Sequence, residues 1–223
     1  MRACVDCLPS YANLRRWGKV LSDKCALCNK SETMRHALSS CHVAATEQLR
    51  FNLRHDSILL HIVKQVRASK QHSGKRIIAD VPGFQLPDGG TIPPEILMTG
   101  MKPDIVLIEE KTNSVELFEL TNCADSKENI QGAQNRKHMR YRELKNDLNA
   151  SLKCFEVCAL RNMPKHARET IRYLVGRRAA RETFKIPAKI AISASYYIFN
   201  RRRDKEWVSP PLFERHFVDF GAK

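Results

Sequence analysis

The chain has 223 residues, enough for one full core and a small satellite module. A hydrophobic share of 43%, with nine Phe, five Tyr and two Trp, excludes a disordered polymer. No run of 18 apolar residues exists, so no membrane span is expected, and the first residues lack the apolar segment of a secretory signal. The formal charge is +14, and the excess concentrates between Leu160 and His216, where 14 Lys and Arg face 5 Asp and Glu. Such a field draws polyanions, nucleic acid first among them, although solvated arginine faces alone would give the same count.

Residues 1–43 carry the clearest metal pattern, Cys25-x2-Cys28-x7-His36-x4-Cys41. Four soft or borderline ligands within so short a stretch close a tetrahedral zinc site, with no position left for a catalytic water. A segment this small buries little apolar area, so Zn2+ would supply most of its folding energy. His42 is a second choice to His36, and Cys4-x2-Cys7 is a half-site without an obvious partner pair. Without a secretory context disulfides are not expected, and Cys123, Cys154 and Cys158 lie in apolar segments as small buried hydrophobes.

Residues 44–160 are expected to form the main α/β (α+β) core. Ile58, Leu59, Ile62, Val63 and Val66 mark one face of a helix within 44–70. Gly- and Pro-rich residues 71–101 predict turns and a long loop, with a short strand at Arg76–Val81. Asp104–Ile108 and Ser114–Leu120 predict a hairpin through Thr112-Asn113. A helix capped by Asp125 is expected to run to Asn149, and Phe155–Leu160 to be a third strand, completing a right-handed parallel crossover. Residues 161–223 form a basic helical extension with two apolar faces, Ala167/Ile171/Leu174/Val175 and Ile190/Ala194/Tyr197/Ile198.

The second constellation is Lys102-Pro103-Asp104 followed, after fourteen intervening residues, by Glu119. Hydrolysis of a phosphodiester by Mg2+ or Mn2+ needs hard oxygen ligands on adjacent rigid elements, and two neighbouring strands can bring one carboxylate each. Strand alternation puts Glu119 on the face of Val115 and Leu117, a costly place for an acid without a cation. Glu109, Glu110 and Glu116 lack that setting and read as solvated. The Lys ordinarily found two residues after the Glu is replaced by Thr121; Lys137, with Tyr141 on the same helical side, offers a substitute. Alone, Pro-Asp plus a distant Glu is equally a turn and an ordinary strand.

The order of these parts resembles the C-terminal region of non-LTR retrotransposon polyproteins that carry a restriction-like endonuclease. The matching pieces are Leu8-Pro9-Ser10 with Leu14-Arg15-Arg16-Trp17, the Cys25/Cys28/His36/Cys41 zinc knuckle with Glu32-Thr33-Met34-Arg35-His36-Ala37-Leu38 around its His, Arg54-His55-Asp56, Lys102-Pro103-Asp104-Ile105-Val106, Glu119, and Lys137 with Tyr141. They cover roughly residues 8 to 160. The resemblance implies a PD-(D/E)xK restriction-endonuclease-like core and Mg2+-dependent cleavage of double-stranded DNA in the nucleus, priming reverse transcription of element RNA. It implies Asp104 and Glu119 as metal ligands, Lys137 as the displaced catalytic Lys, Tyr141 beside it, and Asp56 reaching the metal. Arg54, His55 and Arg140 are the expected nucleic-acid contacts; Arg54-His55-Asp56 could equally be a helix start with Asp56 as N-cap. The chain opens at Met1 without polymerase motifs, so a separated fragment, a truncated copy or a host-adopted gene is expected. A non-catalytic nucleic-acid-binding module, which the knuckle and the basic extension would suffice to make, and a zinc-stabilised interaction protein are the competing readings.

Overall fold

The computed structural model of the chain describes residues 8–213; the Cys4/Cys7 half-site and the end of the basic extension lie outside them. A short helix α1 (Tyr11–Arg16), capped by the Ser10 side chain, leads into the Cys/His segment, which ends in two single-turn π-helices, His36–Ser40 and Val43–Glu47. The elements that follow are α2 (Arg50–Ala68), β1 (Arg76–Ala79), β2 (Ile105–Glu109), β3 (Ser114–Thr121), α3 (Lys127–Arg140), α4 (Arg142–Asp147), β4 (Ser151–Glu156) and α5 (Lys165–Asn200). The strands form one mixed sheet in the order β1-β2-β3-β4, antiparallel except for the parallel β3–β4 pair.

The fold is therefore mixed α/β, in three layers. Ile105, Leu107, Phe118 and Leu120 point to one face of the sheet and cluster with α2 and the first arm of α5. Alternation turns Val106, Ile108, Val115 and Leu117 to the other face, where Tyr141 and Leu144 cover them. The β2–β3 hairpin closes through Asn113 at φ 51°, a left-handed conformation that Asn tolerates.

Several expected boundaries move. Ser126, not Asp125, caps α3; the Asp125 carboxylate instead accepts a hydrogen bond from Leu160 N–H. The long helix breaks at Tyr141, whose ring is buried against the sheet and whose hydroxyl donates to the Lys102 carbonyl at 3.0 Å. Asn149, at φ 45°, ends the crossover early, so β4 runs at Ser151–Glu156 and not at Phe155–Leu160. Val157, Cys158 and Ala159 are buried past the end of the regular ladder: Val157 and Ala159 N–H still donate to the Thr121 and Cys123 carbonyls, while Cys158 N–H donates to the Asn162 carbonyl and closes a turn. The Arg54-His55-Asp56 element lies one turn inside α2 and does not open it.

The basic extension is part of this core. Ala167, Ile171, Leu174 and Val175 belong to the main cluster, and α5 packs along α2. Gly176, at φ 80° and ψ 156°, interrupts α5; it is a conformation that a side chain would strain. Further on, Ile198 and Phe199 share a cluster with Met34, Ala37 and Leu38 of the Cys/His segment. A polar clip reinforces that contact: Arg202 pairs with the buried Glu32 at 2.9 Å and donates to the Pro9 carbonyl, and Arg50 donates to the carbonyls of Arg201 and Asp204.

Glu116, expected to be solvated, is tied down on the α5 side of the sheet. It accepts from Lys75 at 2.7 Å, Lys153 at 2.9 Å and the Tyr173 hydroxyl at 2.8 Å, thereby linking the approach to β1 with β3, β4 and α5. Burial pushes its carboxyl up, but the two ammonium groups and the hydroxyl outweigh that and hold it at about 2. The folded value is below the unfolded one, so this stability is present above the ordinary Glu range and is lost as pH falls towards 2. Glu116→Gln is expected to lower the unfolding free energy by about 2 kcal/mol at neutral pH. In urea titrations the deficit should shrink below the ordinary Glu range; a pH-independent deficit would remove the ion pairs from the explanation.

Candidate functional site

The Cys/His segment is built to hold an ion. Cys25 and Cys28 lie in a turn closed by the Lys24–Ser31 bridge and by Cys25 N–H to the Lys30 carbonyl at 2.7 Å, with Asn29 left-handed at φ 58°. His36 and Cys41 are five residues apart, a spacing that suits a π-turn: Cys41 N–H donates to the His36 carbonyl at 2.9 Å, bringing the two residues to one side. The four ligand atoms all lie within 4.8 Å of one another. The Cys25 and Cys41 sulfurs are 4.0 Å apart, close to the roughly 3.8 Å that two 2.3 Å zinc–sulfur bonds at the tetrahedral angle require. Burial holds His36 below its ordinary value, so its ring is neutral and can coordinate. Burial also pushes the Cys41 thiol up to about 12, so a thiolate there needs a cation beside it. The group can hold a metal such as zinc; His42 is exposed and outside it.

The carboxylates meet at one end of the sheet. Asp104 immediately precedes β2, and the β2–β3 register, in which Ile105 faces Phe118, sets it opposite Glu119. Asp104 N–H donates to Glu119 Oε1 at 3.1 Å, and Leu120 N–H donates to Asp104 Oδ2 at 2.7 Å. Lys137 comes down from α3 onto both acids: its Nζ bonds Glu119 Oε2 and lies 3.7 Å from Asp104 Oδ2. His55 reaches Asp104 from α2 at 3.3 Å through Nε2 and is held by Asp56 at 2.9 Å through Nδ1.

The electrostatics separate the two acids. Burial raises Asp104, but His55 and Lys137 more than offset it and hold the carboxyl below its ordinary value. Glu119, with no solvent exposure, is pushed up to about 7 by burial and then by the charge of Asp104. Burial lowers Lys137 and His55, yet the carboxylates prevail: both are raised, His55 to about 10. The pocket is a pair of unequal acids balanced by two cationic groups, with His55, Asp56 and Lys137 forming its partly exposed side.

The other expected site residues divide. Arg140 is exposed at the end of α3, its guanidinium 5.3 Å from the Tyr141 ring. Arg54, expected at a phosphate, is fully buried and donates to the Leu38 carbonyl at 3.1 Å and to Ser195 Oγ at 3.0 Å; it ties α2 to the Cys/His segment and to α5. An Arg spent in this way does not reach a phosphate. Sequence reasoning also missed two neighbours of the acids. The parallel register sets Cys154 beside Glu119 and Glu156 beside Thr121. Burial pushes the Cys154 thiol up to about 12, followed by the charges of Glu119 and Glu156, so one thiol senses both acids. Glu156 is buried against His166, which also meets Gln134, one turn before Lys137 on α3. The only sequence signal was an acid at an alternate position of an apolar run.

Dialysed protein is expected to retain about one zinc per chain by atomic absorption, lost in Cys28→Ser and kept in His42→Ala. Retention by Cys28→Ser would disprove the four-ligand site. Arg54→Ala should cost about 3 kcal/mol in urea unfolding, because it leaves a buried carbonyl unpaired and a cavity behind. A loss below about 1 kcal/mol would mean that the two hydrogen bonds do not hold the segments together. No protein-family model matches the chain, and no curated protein matches it.

Proposed function

We propose that the chain is a metal-dependent DNA endonuclease of the PD-(D/E)xK class, with a zinc knuckle ahead of its catalytic core, like the restriction-like endonuclease region of non-LTR retrotransposon polyproteins. The observation that carries the reading is the convergence of Asp104, Glu119 and Lys137 in one pocket, from two strands and the crossover helix. Asp104 and Glu119 are the ligands for Mg2+ or Mn2+, and their all-oxygen chemistry suits a hard cation. When bound, the ion supplies a Lewis acid for the phosphate and a water of lowered pKa.

The chain's own groups do the rest. Lys137, bonded to Glu119 and 3.7 Å from Asp104, takes the part of the Lys that Thr121 replaces, its ammonium orienting the attacking water. His55, fixed by Asp56, steadies Asp104. Tyr141 anchors the Lys102 carbonyl and so the approach of Asp104 to the strand. Exposed Arg140 contacts the DNA backbone beside the pocket, whereas His55, with both ring nitrogens taken up by Asp56 and Asp104, serves the acids. The substrate is double-stranded chromosomal DNA in the nucleus, with element RNA as the template that the cut primes. The domain plan is a zinc module over 1–43, a nuclease core over 44–160 and a basic extension over 161–223, whose described residues pack into the core.

The test is nicking of supercoiled DNA with Mg2+ or Mn2+. Asp104→Ala and Glu119→Gln are each expected to slow nicking at least about 100-fold. Their affinity for duplex DNA should stay within about threefold of the parent, because phosphate contacts come mainly from Lys and Arg. Equal nicking by Asp104→Ala would overturn the active site. Tight binding by a parent chain that cuts with neither metal would make the chain an inactive nucleic-acid-binding module.

A further inference from the structure

The sequence counts the basic extension as one block, but the fold divides it. Arg168 donates to the Met163 carbonyl, Arg172 lies over Phe184, Arg201 pairs with Asp204, Arg202 closes the clip on Glu32, and Arg203 lies over Tyr11. These cations serve packing. The second arm of α5, after Gly176, differs. Arg177, Arg181, Lys185 and Lys189 recur every fourth residue, Arg178 stands beside them, and all five are exposed. At 1.5 Å per residue they form a ridge about 18 Å long, with a cation about every 6 Å. The opposite side of the same arm, Ala180, Thr183, Pro187, Ile190, Ala191 and Ala194, is buried.

Arg177, Arg178 and Arg181 make no hydrogen bond or ion pair among the described residues. Two acids lie nearby: Glu169 of the first arm lines a surface hollow with Arg177, and Glu182 pairs with Lys185 at 2.7 Å, both side chains of that pair being more than half exposed, so water competes strongly for the bond. The apolar face of the helix is taken up by the protein core; the large apolar side chains left exposed on this arm, Ile192 and Tyr196, lie beyond Lys189 and not among the cations, too few to seat the ridge in a lipid surface. What remains is a predominantly cationic ridge, five cations with Glu182 among them, and no exposed large apolar side chain between those cations. A phosphodiester strand matches it: duplex DNA carries one phosphate per 3.4 Å of axis on each strand, so the ridge spans about five phosphates.

We propose that the Arg177–Lys189 ridge of α5 is a second DNA-docking surface, gripping one strand of duplex DNA without reading its sequence. The proposal rests on the DNA-directed reading for the identity of the polyanion and is independent of the cutting chemistry. Gly176 makes the ridge possible: its non-helical turn resets the helical phase, so the cations beyond it form a line of their own.

The test is fluorescence anisotropy of the full chain with a labelled 30-base-pair duplex, titrated over a range of KCl without added Mg2+. The double variant Arg177→Ala/Arg181→Ala is compared with the parent and with Lys19→Ala/Lys111→Ala, exposed lysines on other segments whose loss removes the same charge. The ridge variant should weaken binding at least roughly tenfold near 0.1 M salt and flatten the slope of log K against log salt by about 2, equally for unrelated sequences. The control pair should keep the parent's slope. Equal losses in both pairs, an unchanged ridge variant, or no binding by the parent at low salt would each overturn the ridge. So would a loss seen with an RNA duplex and not with DNA. Cutting is read separately through Asp104→Ala, so a chain that never nicks but loses binding in the ridge variant sinks the nuclease and keeps the surface.

Discussion

Two carboxylates side by side at the dry end of a sheet are unstable unless a cation stands with them. In this chain the β2–β3 register forces that situation by setting Asp104 opposite Glu119. The rest of the neighbourhood follows from it. Lys137 must come from the crossover helix, because the position two residues after Glu119 is Thr121, whose hydroxyl makes no hydrogen bond. His55 must come from the opposite layer to balance Asp104. The break at Tyr141 lets the crossover turn back over the sheet just after delivering Lys137, and the Tyr141 hydroxyl fastens the segment that carries Asp104. Sheet, crossover and α2 thus converge because two negative charges have to be answered from several sides.

Arginine plays opposite parts in the two halves of the extension and its surroundings. Arg50, Arg54 and Arg202 each spend their planar donors on backbone carbonyls or on the buried Glu32, joining the Cys/His segment to α2 and the end of α5. A small metal-closed segment has little apolar area of its own, and this clip couples it to the core through directional bonds as well as through Met34, Leu38, Ile198 and Phe199. Arg177, Arg178 and Arg181, on the exposed face after Gly176, have no such partners among the described residues, and their charge is left to act through water.

How much of this was legible in the sequence depends on how local each signal is. The Cys25/Cys28/His36/Cys41 spacing is a local constraint, and it read correctly down to the choice of His36 over His42. The strands β2 and β3 were legible because apolar alternation and the Asn113 turn agree. The strand β4 was misplaced because Val157, Cys158 and Ala159 are buried past the end of the regular ladder, and composition does not distinguish a buried turn from a buried strand. Arg54 misled for a related reason: nothing in an Arg-His-Asp string tells a guanidinium that caps a carbonyl 16 residues back from one that faces solvent. Glu116 and Glu156 were hidden because their partners, Lys75, Lys153 and Tyr173 for one and His166 for the other, arrive from distant segments.

The displaced lysine shows what kind of information a motif carries. A lysine two residues after the acid on the same strand and one descending from a crossover helix are different strings, but either can set an ammonium beside a strand carboxylate, as Lys137 does at Glu119. For the proposed cutting reaction, what counts is the position of the ammonium and not the stretch of chain that supplies it. Thr121 therefore counts against the motif as a pattern and not against the pocket as a device, because Lys137 already touches Glu119 and stands 3.7 Å from Asp104. The substitution has a structural consequence. The ammonium is now carried by a helix whose own seating depends on Ser126, Ala133 and Tyr141, so the electrostatic balance of the acids is tied to the packing of the crossover on the sheet.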